Sequence, residues 1–169
     1  MHSNIRILAV TDWEVYRTLR LCSLKDSPDS FGSTYEREAE YADEEWQSRL
    51  DPAGRAANTL PLLASVDDSP SGLAWGLVHD PDPSTAYVYQ MWVAPEARGR
   101  GLGRALLDRI VLWAGERKLD AVSLTVTTTN TPAIALYASL GFVPDGETKE
   151  LRPGSPLSVQ PMVLRLGAL

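Results

Sequence analysis

Apolar positions in the first third of the chain predict a strand, two helices and a second strand. Ile5 to Val10 is a short apolar run that predicts a strand, and apolar side chains then recur at helical spacing from Val15 to Leu24. Ser, Pro and Gly between positions 27 and 33 end this helix, and a second helical pattern runs from about Glu36 to Leu50. The next apolar run, Leu60 to Val66, predicts a strand.

The middle of the chain predicts a meander of three consecutive strands. Leu73 to His79 and Thr85 to Val93 follow the strand at Leu60 to Val66, with turn residues at 67–72 and 80–84 between them. Side chains alternate along a strand, so one row of the third strand should pack in the core and the other should line a binding site. The two rows are Tyr87, Tyr89 and Met91, and Val88, Gln90 and Trp92, with Phe31, Tyr35 and Trp75 as further candidates for the binding site.

The second half of the chain predicts a parallel crossover and a C-terminal hairpin. A helical stripe from Leu106 to Ala114 leads into a β-branched strand at Ala121 to Val126. A strand reached through a crossover helix lies parallel to the strand before it. The next helix starts at Asn130-Thr131-Pro132 and ends at Gly141, where glycine suits the position after a helix. The pair Phe142-Val143 and the run Val159 to Leu166 predict a final antiparallel hairpin.

The turn between the central strand and the crossover helix has the features of an anion-binding loop. Glycines stand at 99, 101 and 103, and the first N–H groups of the following helix have no intrahelical acceptor. The helix dipole adds positive potential there, and Arg98, Arg100 and Arg104 add mobile positive charge. Arg104-Ala105 stands where a Walker loop needs Lys followed by Ser or Thr, and the G-x-G-x-G spacing does not fit the dinucleotide fingerprint. A tight turn without a ligand is the alternative.

Two motifs in this order resemble those of the GNAT-type N-acetyltransferase superfamily. Arg98, Gly101 and Gly103 match its pyrophosphate loop, and Thr125 to Phe142 resembles its second signature, with Asn130 and Tyr137 in place. The resemblance covers nearly the whole chain and implies one domain over residues 1–169. The implied fold class is α/β (α+β), a mixed and mostly antiparallel sheet of about six to seven strands with about four flanking helices. Its central parallel pair is expected to splay apart.

The resemblance also implies a cofactor, acetyl-CoA, and a role for each motif residue. The strand edge at Met91, Trp92 and Val93 would pair with the pantetheine arm, and a backbone N–H near Met91 or Trp92 would polarise the thioester carbonyl. The pyrophosphate would lie on the loop residues Arg98, Gly99, Arg100, Gly101, Leu102, Gly103 and Arg104. Asn130 would hydrogen-bond the cofactor. Tyr137 would be the catalytic acid at the thioester sulfur, with a packing aromatic as the alternative.

The implied reaction is transfer of an acetyl group from acetyl-CoA to a primary amine of a small molecule or a peptide N-terminus, by direct attack in a ternary complex. Many members of the superfamily have Glu or Asp on the central strands as the general base, but Tyr87 to Trp92 contains no carboxylate. Either a water chain removes the amine proton or an acidic group comes from elsewhere. The same departure motivates an alternative, a non-catalytic acyl-CoA-binding or regulatory module.

Composition excludes several classes of protein function. At 169 residues, 44% hydrophobic and 22% charged, the chain is typical of one globular domain. Its net charge of −6 argues against general nucleic-acid binding, and no apolar run approaches the ~18 residues of a membrane span. No metal site is expected, because His79 has no histidine or cysteine cluster around it.

The chain has a single cysteine, Cys22, so it cannot form an internal disulfide, which suits the cytoplasm. Cys22 shares one face of the first predicted helix with Val15 and Leu19, so we expect its thiol to be packed in the core. The acidic residues of the second helix indicate a solvated face, with a negative rim that attracts cationic amines as the sharper alternative. A homodimer through the C-terminal strands is a further hypothesis.

Overall fold

A computed structural model describes residues 1–54, 58–79 and 81–167. Asp80, in the turn predicted between the second and third meander strands, lies outside these ranges. The strands are β1 (Ser3–Ile7), β2 (Thr59–Val66), β3 (Ser69–His79), β4 (Asp82–Val93), β5 (Ala121–Thr127), β6 (Val143–Pro144), β7 (Lys149–Glu150) and β8 (Ser158–Arg165). The helices are α1 (Trp13–Asp26), α2 (Tyr35–Ala39), α3 (Asp43–Leu50), α4 (Leu102–Glu116) and α5 (Thr131–Ser139).

The described strands form one eight-stranded mixed sheet. Its order is β1-β2-β3-β4-β5-β8-β6, and β7 pairs with β8 beside β6. Every neighbouring pair is antiparallel except β4 and β5, which α4 connects as a parallel crossover. The predicted fold class is therefore confirmed, with slightly more strands and helices than expected.

Helices cover both faces of the sheet and create two apolar cores. On one face, Leu106, Leu107 and Ile110 of α4 are fully buried in a cluster that also contains Tyr137 of α5. On the other face, Tyr16 of α1 and Trp46 of α3 are fully buried in a second cluster. The two helical layers therefore pack on the sheet from both sides.

The central parallel pair splays apart. β4 and β5 pair only at Thr85 with Ala121, Ala86 with Val122 and Tyr87 with Ser123. Beyond those positions β4 continues to Val93 and β5 to Thr127 without pairing to each other. The facing backbone groups of these segments have no ladder partner across the gap, which opens toward the start of α4.

A bulge interrupts β4 within this gap. Trp75 of β3 pairs with Tyr89, but Leu73 pairs with Trp92, so β4 has one extra residue there. Gln90 has φ +53°, a left-handed conformation that is uncommon outside glycine. The predicted strict alternation is therefore wrong beyond Tyr89. Met91 packs on the same core as Val88, as Val93 does, while Trp92 joins the opposite core with Trp75.

Two further predictions in the N-terminal region are wrong. The helix expected over 36–50 is two helices, because Ala42 is extended (φ −67°, ψ 160°) and redirects the chain before α3. Cys22 is exposed rather than packed, because the buried face of α1 lies one position away from the predicted stripe. That face consists of Tyr16, Leu19, Arg20, Ser23 and Leu24, and two of its members are polar.

Candidate active site

The gap between β4 and β5 is the floor of a large cleft. The cleft has a volume of about 1550 Å³ and extends from the loop before α4 to the side chains of α1 and α3. Of the residues predicted to bind the cofactor or act in catalysis, all except Arg100 line it. Phe31 and Trp75, two of the three aromatic candidates, also line the cleft.

The loop before α4 presents bare backbone N–H groups to the cleft. Gly99 (φ +76°) and Gly101 (φ +82°) adopt left-handed conformations, and Gly101 is the N-cap of α4. A Cβ atom at either glycine would meet nothing within 4 Å, so the space in front of the loop is open. Within the described ranges, no protein atom accepts a hydrogen bond from the N–H groups of residues 99–104. This end of the cleft can therefore bind an anion.

The third glycine of the loop has a different role. A Cβ atom on Gly103 would lie 3.2 Å from Leu136 Cδ2 and 3.4 Å from Met91 Cε. Gly103 thus permits close packing of α4 against α5 and β4, rather than close approach of a ligand.

The arginines of the loop differ in their freedom. Arg98 is not mobile as predicted: its Nη2 donates to Asp26 Oδ2 at 2.6 Å and its Nε donates to the Val93 carbonyl at 2.9 Å. Arg104 Nη2 donates to Ser139 Oγ at 2.8 Å. Arg100 is exposed, with its Nη1 2.8 Å from the Met1 sulfur, and does not line the cleft. The positive potential here thus combines the fixed backbone dipoles with the charge of Arg104, while Asp26 offsets the charge of Arg98.

Asp26 is a site residue that sequence reasoning missed. Its carboxylate accepts hydrogen bonds from Arg98, from Trp92 Nε1 at 3.0 Å and from Ser27 Oγ at 2.7 Å. Partial burial alone would raise the pKa of Asp26, but these hydrogen bonds outweigh it and lower the pKa. Asp26 therefore ties the end of α1 to β4 and the loop. Nothing local in the sequence marks it, since its partners on β4 and the loop are distant along the chain.

The second motif contributes Asn130 and Tyr137 to the opposite wall. Asn130 Oδ1 accepts a hydrogen bond from the Ala133 N–H at 3.3 Å, so this side chain caps α5. Tyr137 is 8% exposed, and burial raises the pKa of its phenol to about 12. No group in the described part of the chain hydrogen-bonds its hydroxyl. Tyr137 therefore keeps its proton at neutral pH and has a donor to spare.

The three β4 residues predicted to contact the cofactor, Met91, Trp92 and Val93, differ in their burial. Trp92 is buried in the core beneath α1, while Met91 and Val93 are half-buried on the cleft side. The Val93 carbonyl is already engaged by Arg98. The backbone of β4 beyond Tyr87, rather than these side chains, thus faces the unpaired gap.

A buried polar network lies at the other end of the cleft, around Tyr16. The Tyr16 hydroxyl donates to Gln90 Oε1 at 2.9 Å and accepts from Arg49 Nη1 at 3.3 Å. Glu38, 3% exposed, accepts two hydrogen bonds from Arg20 at 3.0 and 2.8 Å. Burial alone would raise the pKa of Glu38, but its hydrogen bonds and the charge of Arg20 lower it. Glu38 therefore does not belong to the solvated face predicted for the acidic helix.

The described residues hold neither of two other kinds of site. No helix among them is both long enough and apolar enough to cross a membrane. No group of three or more His, Cys, Asp or Glu side chains in the same ranges is placed to hold a metal ion.

The amino-acid sequence of this chain is similar to those of known acetyltransferases. The profile of the acetyltransferase (GNAT) family matches residues 20–142. A mycothiol acetyltransferase of Tsukamurella paurometabola is 37% identical over 117 residues, which cover 68% of this chain and 39% of that relative. This chain is thus much shorter than the curated relatives that it matches.

Solved structures agree with the fold. A GNAT-family acetyltransferase from Streptococcus pneumoniae superposes with a TM-score of 0.81 at 21% identity, covering 98% of this chain and 100% of that one. A protein from Salmonella typhimurium, solved with its cofactor acetyl-CoA, has a TM-score of 0.81 at 18% identity and covers 100% and 96%. With the family profile matching most of its length, the chain belongs to the GNAT family of acetyltransferases.

Proposed function

We propose that this protein transfers an acetyl group from acetyl-CoA to a primary amine of a small molecule or a peptide N-terminus. One observation carries the proposal: the gap between β4 and β5 opens beside a loop whose N–H groups have no protein acceptor in the described ranges. The similar protein from Salmonella typhimurium, described with acetyl-CoA, and the mycothiol acetyltransferase relative support this activity class.

Two parts of the cofactor, the pyrophosphate and the pantetheine arm, have matching surfaces. The pyrophosphate would accept hydrogen bonds from the N–H groups of residues 99–104. The amide-rich pantetheine arm would lie along β4 beyond Tyr87, where strand-like hydrogen bonds are unused. The side-chain oxygen of Asn130 accepts a hydrogen bond from the Ala133 N–H, so the NH2 group of Asn130 can donate to the cofactor.

The reaction needs one bond formed and one broken. The neutral amine attacks the thioester carbonyl carbon, the C–N bond forms, and a β4 backbone N–H near Met91 or Trp92 stabilises the oxyanion. The C–S bond then breaks and coenzyme A leaves as a thiolate. The amine loses its proton to water in the open cleft.

Tyr137 acts on the leaving thiolate mainly through a hydrogen bond. A thiol has a pKa near ~8.5, well below the value of about 12 for Tyr137. Full proton transfer from the phenol to the thiolate is therefore uphill. A hydrogen bond from a donor that never ionises at neutral pH stabilises the developing negative charge without that cost.

The experiment is turnover of acetyl-CoA with a broad panel of amines, measured by coenzyme A release and by mass spectrometry of the acetylated product. The variant Gly101→Glu should abolish acetyl-CoA binding, because it fills the open anion site with like charge. Gly115→Glu is the control for the added charge, since it places a glutamate on α4 where nothing lies within 4 Å. Gly101→Ala is the control for the strain of a side chain at φ +82°, and it should bind acetyl-CoA better than Gly101→Glu. Tight binding of acetyl-CoA without any product would favour the non-catalytic module, which the lack of a carboxylate on β4 beyond Tyr87 also motivates.

A further inference from the structure

We propose that the acceptor amine also carries a carboxylate, and that Arg49 and Gln90 bind this carboxylate at the α1–α3 end of the cleft. The inference rests on the proposed acetyl transfer and names the class of acceptor. It comes from a convergence of hydrogen-bond donors around Tyr16.

Tyr16 fixes which way the Gln90 amide points. Arg49 can only donate, so the Tyr16 oxygen accepts from Arg49 and the Tyr16 proton goes to Gln90 Oε1. Burial raises the pKa of Tyr16, which keeps that proton in place. The Gln90 carbonyl oxygen is thereby used, and its NH2 group has no acceptor in the described part of the chain. Since Gln90 lines the cleft, its amide acts there as a donor.

Arg49 is the second donor. Its polar contacts are all long: 3.3 Å to Tyr16, 3.5 Å to Glu38 and 3.4 Å to Glu45. Its guanidinium also lies 4.9 Å from the Tyr41 ring centroid and 5.2 Å from that of Trp46. Its side chain is 18% exposed and lines the cleft. Arg20 donates two shorter hydrogen bonds to Glu38, so the charge of this buried carboxylate is balanced mainly by Arg20 and not by Arg49. Arg49 therefore has charge and N–H groups to offer a ligand.

Trp75 adds a third donor to the same place. Its ring lies 5.3 Å from the Tyr16 ring, it is 7% exposed, and it lines the cleft. Its Nε1 has no hydrogen-bond partner among the described residues, and a buried indole N–H normally has one. The nitrogen is itself buried from solvent, so a ligand oxygen would reach it only after neighbouring side chains move.

The two carboxylates that contact Arg49, those of Glu38 and Glu45, do not line the cleft, and the carboxylates that do line it lie elsewhere. Asp26 and Asp29 line the cleft at the end of α1 and just after it, and Asp26 is engaged by Arg98 and Trp92. The surface around Tyr16 therefore offers a guanidinium and an amide NH2, and the Trp75 indole N–H is a third donor beside them that is buried from solvent. Such a set of donors matches a carboxylate, which only accepts hydrogen bonds.

The test compares acceptors that differ only in the carboxylate. The proteinogenic amino acids and their carboxamides are assayed in parallel with acetyl-CoA, and kcat/KM is measured for each pair. We expect at least a tenfold preference for the free acid in the pairs that are acetylated. Equal or better turnover of the carboxamides overturns the inference while leaving the proposed acetyl transfer intact.

A binding measurement decides the question even without turnover. N-acetyl amino acids and their carboxamides are titrated by calorimetry into the protein saturated with coenzyme A. Binding of the acids at least tenfold tighter supports the inference. Equal binding, or binding of neither, overturns it.

Variants locate the effect. Arg49→Met should lower kcat/KM for the acids at least tenfold and leave the carboxamides within twofold, whereas Arg37→Met, an exposed control in α2, should change neither. Gln90→Glu keeps the size and the bond from Tyr16 but places a carboxylate against a carboxylate, so it too should act selectively against the acids. Loss of both substrate classes to the same degree in both variants would contradict the proposed subsite.

Discussion

Removal of the negative charge of Glu38 should strongly destabilise the protein. Glu38 is 3% exposed and accepts two hydrogen bonds from Arg20, which is 4% exposed, so Glu38→Gln leaves a buried guanidinium without its counter-charge. Breaking a buried ion pair from one side costs about 3–5 kcal/mol. Because glutamine retains one acceptor oxygen, we expect a loss of about 3 kcal/mol in the free energy of unfolding.

Urea unfolding, followed by tryptophan fluorescence, measures this loss. The control is Glu36→Gln, which removes an exposed carboxylate from the same helix and should change stability by less than about 0.5 kcal/mol. In a double-mutant cycle, Arg20→Met with Glu38→Gln should cost less than the sum of the single changes. A loss below about 1 kcal/mol for Glu38→Gln would refute the assignment of this pair as a buried, coupled interaction.

The same pair predicts an acid dependence. The pKa of Glu38 is lowered in the folded protein, so its stabilising contribution is complete above the unfolded value of ~4.3 and is lost as pH falls through the lower folded value. Stability of the wild-type protein should therefore fall more steeply below pH ~4 than that of Glu38→Gln. Parallel curves in urea titrations at several pH values would contradict this.

Three further changes test other parts of the site. Tyr137→Phe should lower kcat about 10- to 100-fold with nearly unchanged affinity for acetyl-CoA. The pH profile of the wild-type rate should show no ionisation of the Tyr137 phenol below pH ~11. Unchanged turnover in Tyr137→Phe would exclude a role of the hydroxyl at the thioester sulfur. Gly103→Ala should lower the free energy of unfolding by about 1 kcal/mol in urea titrations, because the overpacking against Leu136 and Met91, about 1–3 kcal/mol, outweighs the gain of about 0.5–1 kcal/mol from replacing glycine within a helix. A rise in stability would show that these neighbours adjust freely. Asp26→Ala should lower the free energy of unfolding by about 1–3 kcal/mol in the same assay. Most of this loss comes from the Trp92 N–H that is left without an acceptor, because the ion pair with half-exposed Arg98 contributes little. A loss under about 0.5 kcal/mol would contradict the role of Asp26.

Features encoded within a few consecutive residues were predictable from the chain alone. The glycines at 99 and 101, the Asn130 cap and the helical stripe of α4 each depend on local backbone chemistry. Together they predicted the parallel crossover and the loop with free N–H groups, while the mixed sheet followed from the resemblance to the GNAT-type acetyltransferases. The two motifs also indicated the family, because each is a continuous stretch of sequence and their order along the chain is fixed.

The remainder depends on contacts between residues far apart in sequence. Asp26 meets Arg98, Glu38 meets Arg20, and Tyr16 meets Gln90 only when helices and sheet have packed. The bulge at Gln90 is a mismatch between two strands, so no single strand's pattern could reveal it. Local sequence therefore determined most of the helices and strands and the glycine loop before α4. Tertiary packing alone decided which charges are buried and which donors stay free at the α1–α3 end of the cleft, because burial and pairing are properties of neighbours in space.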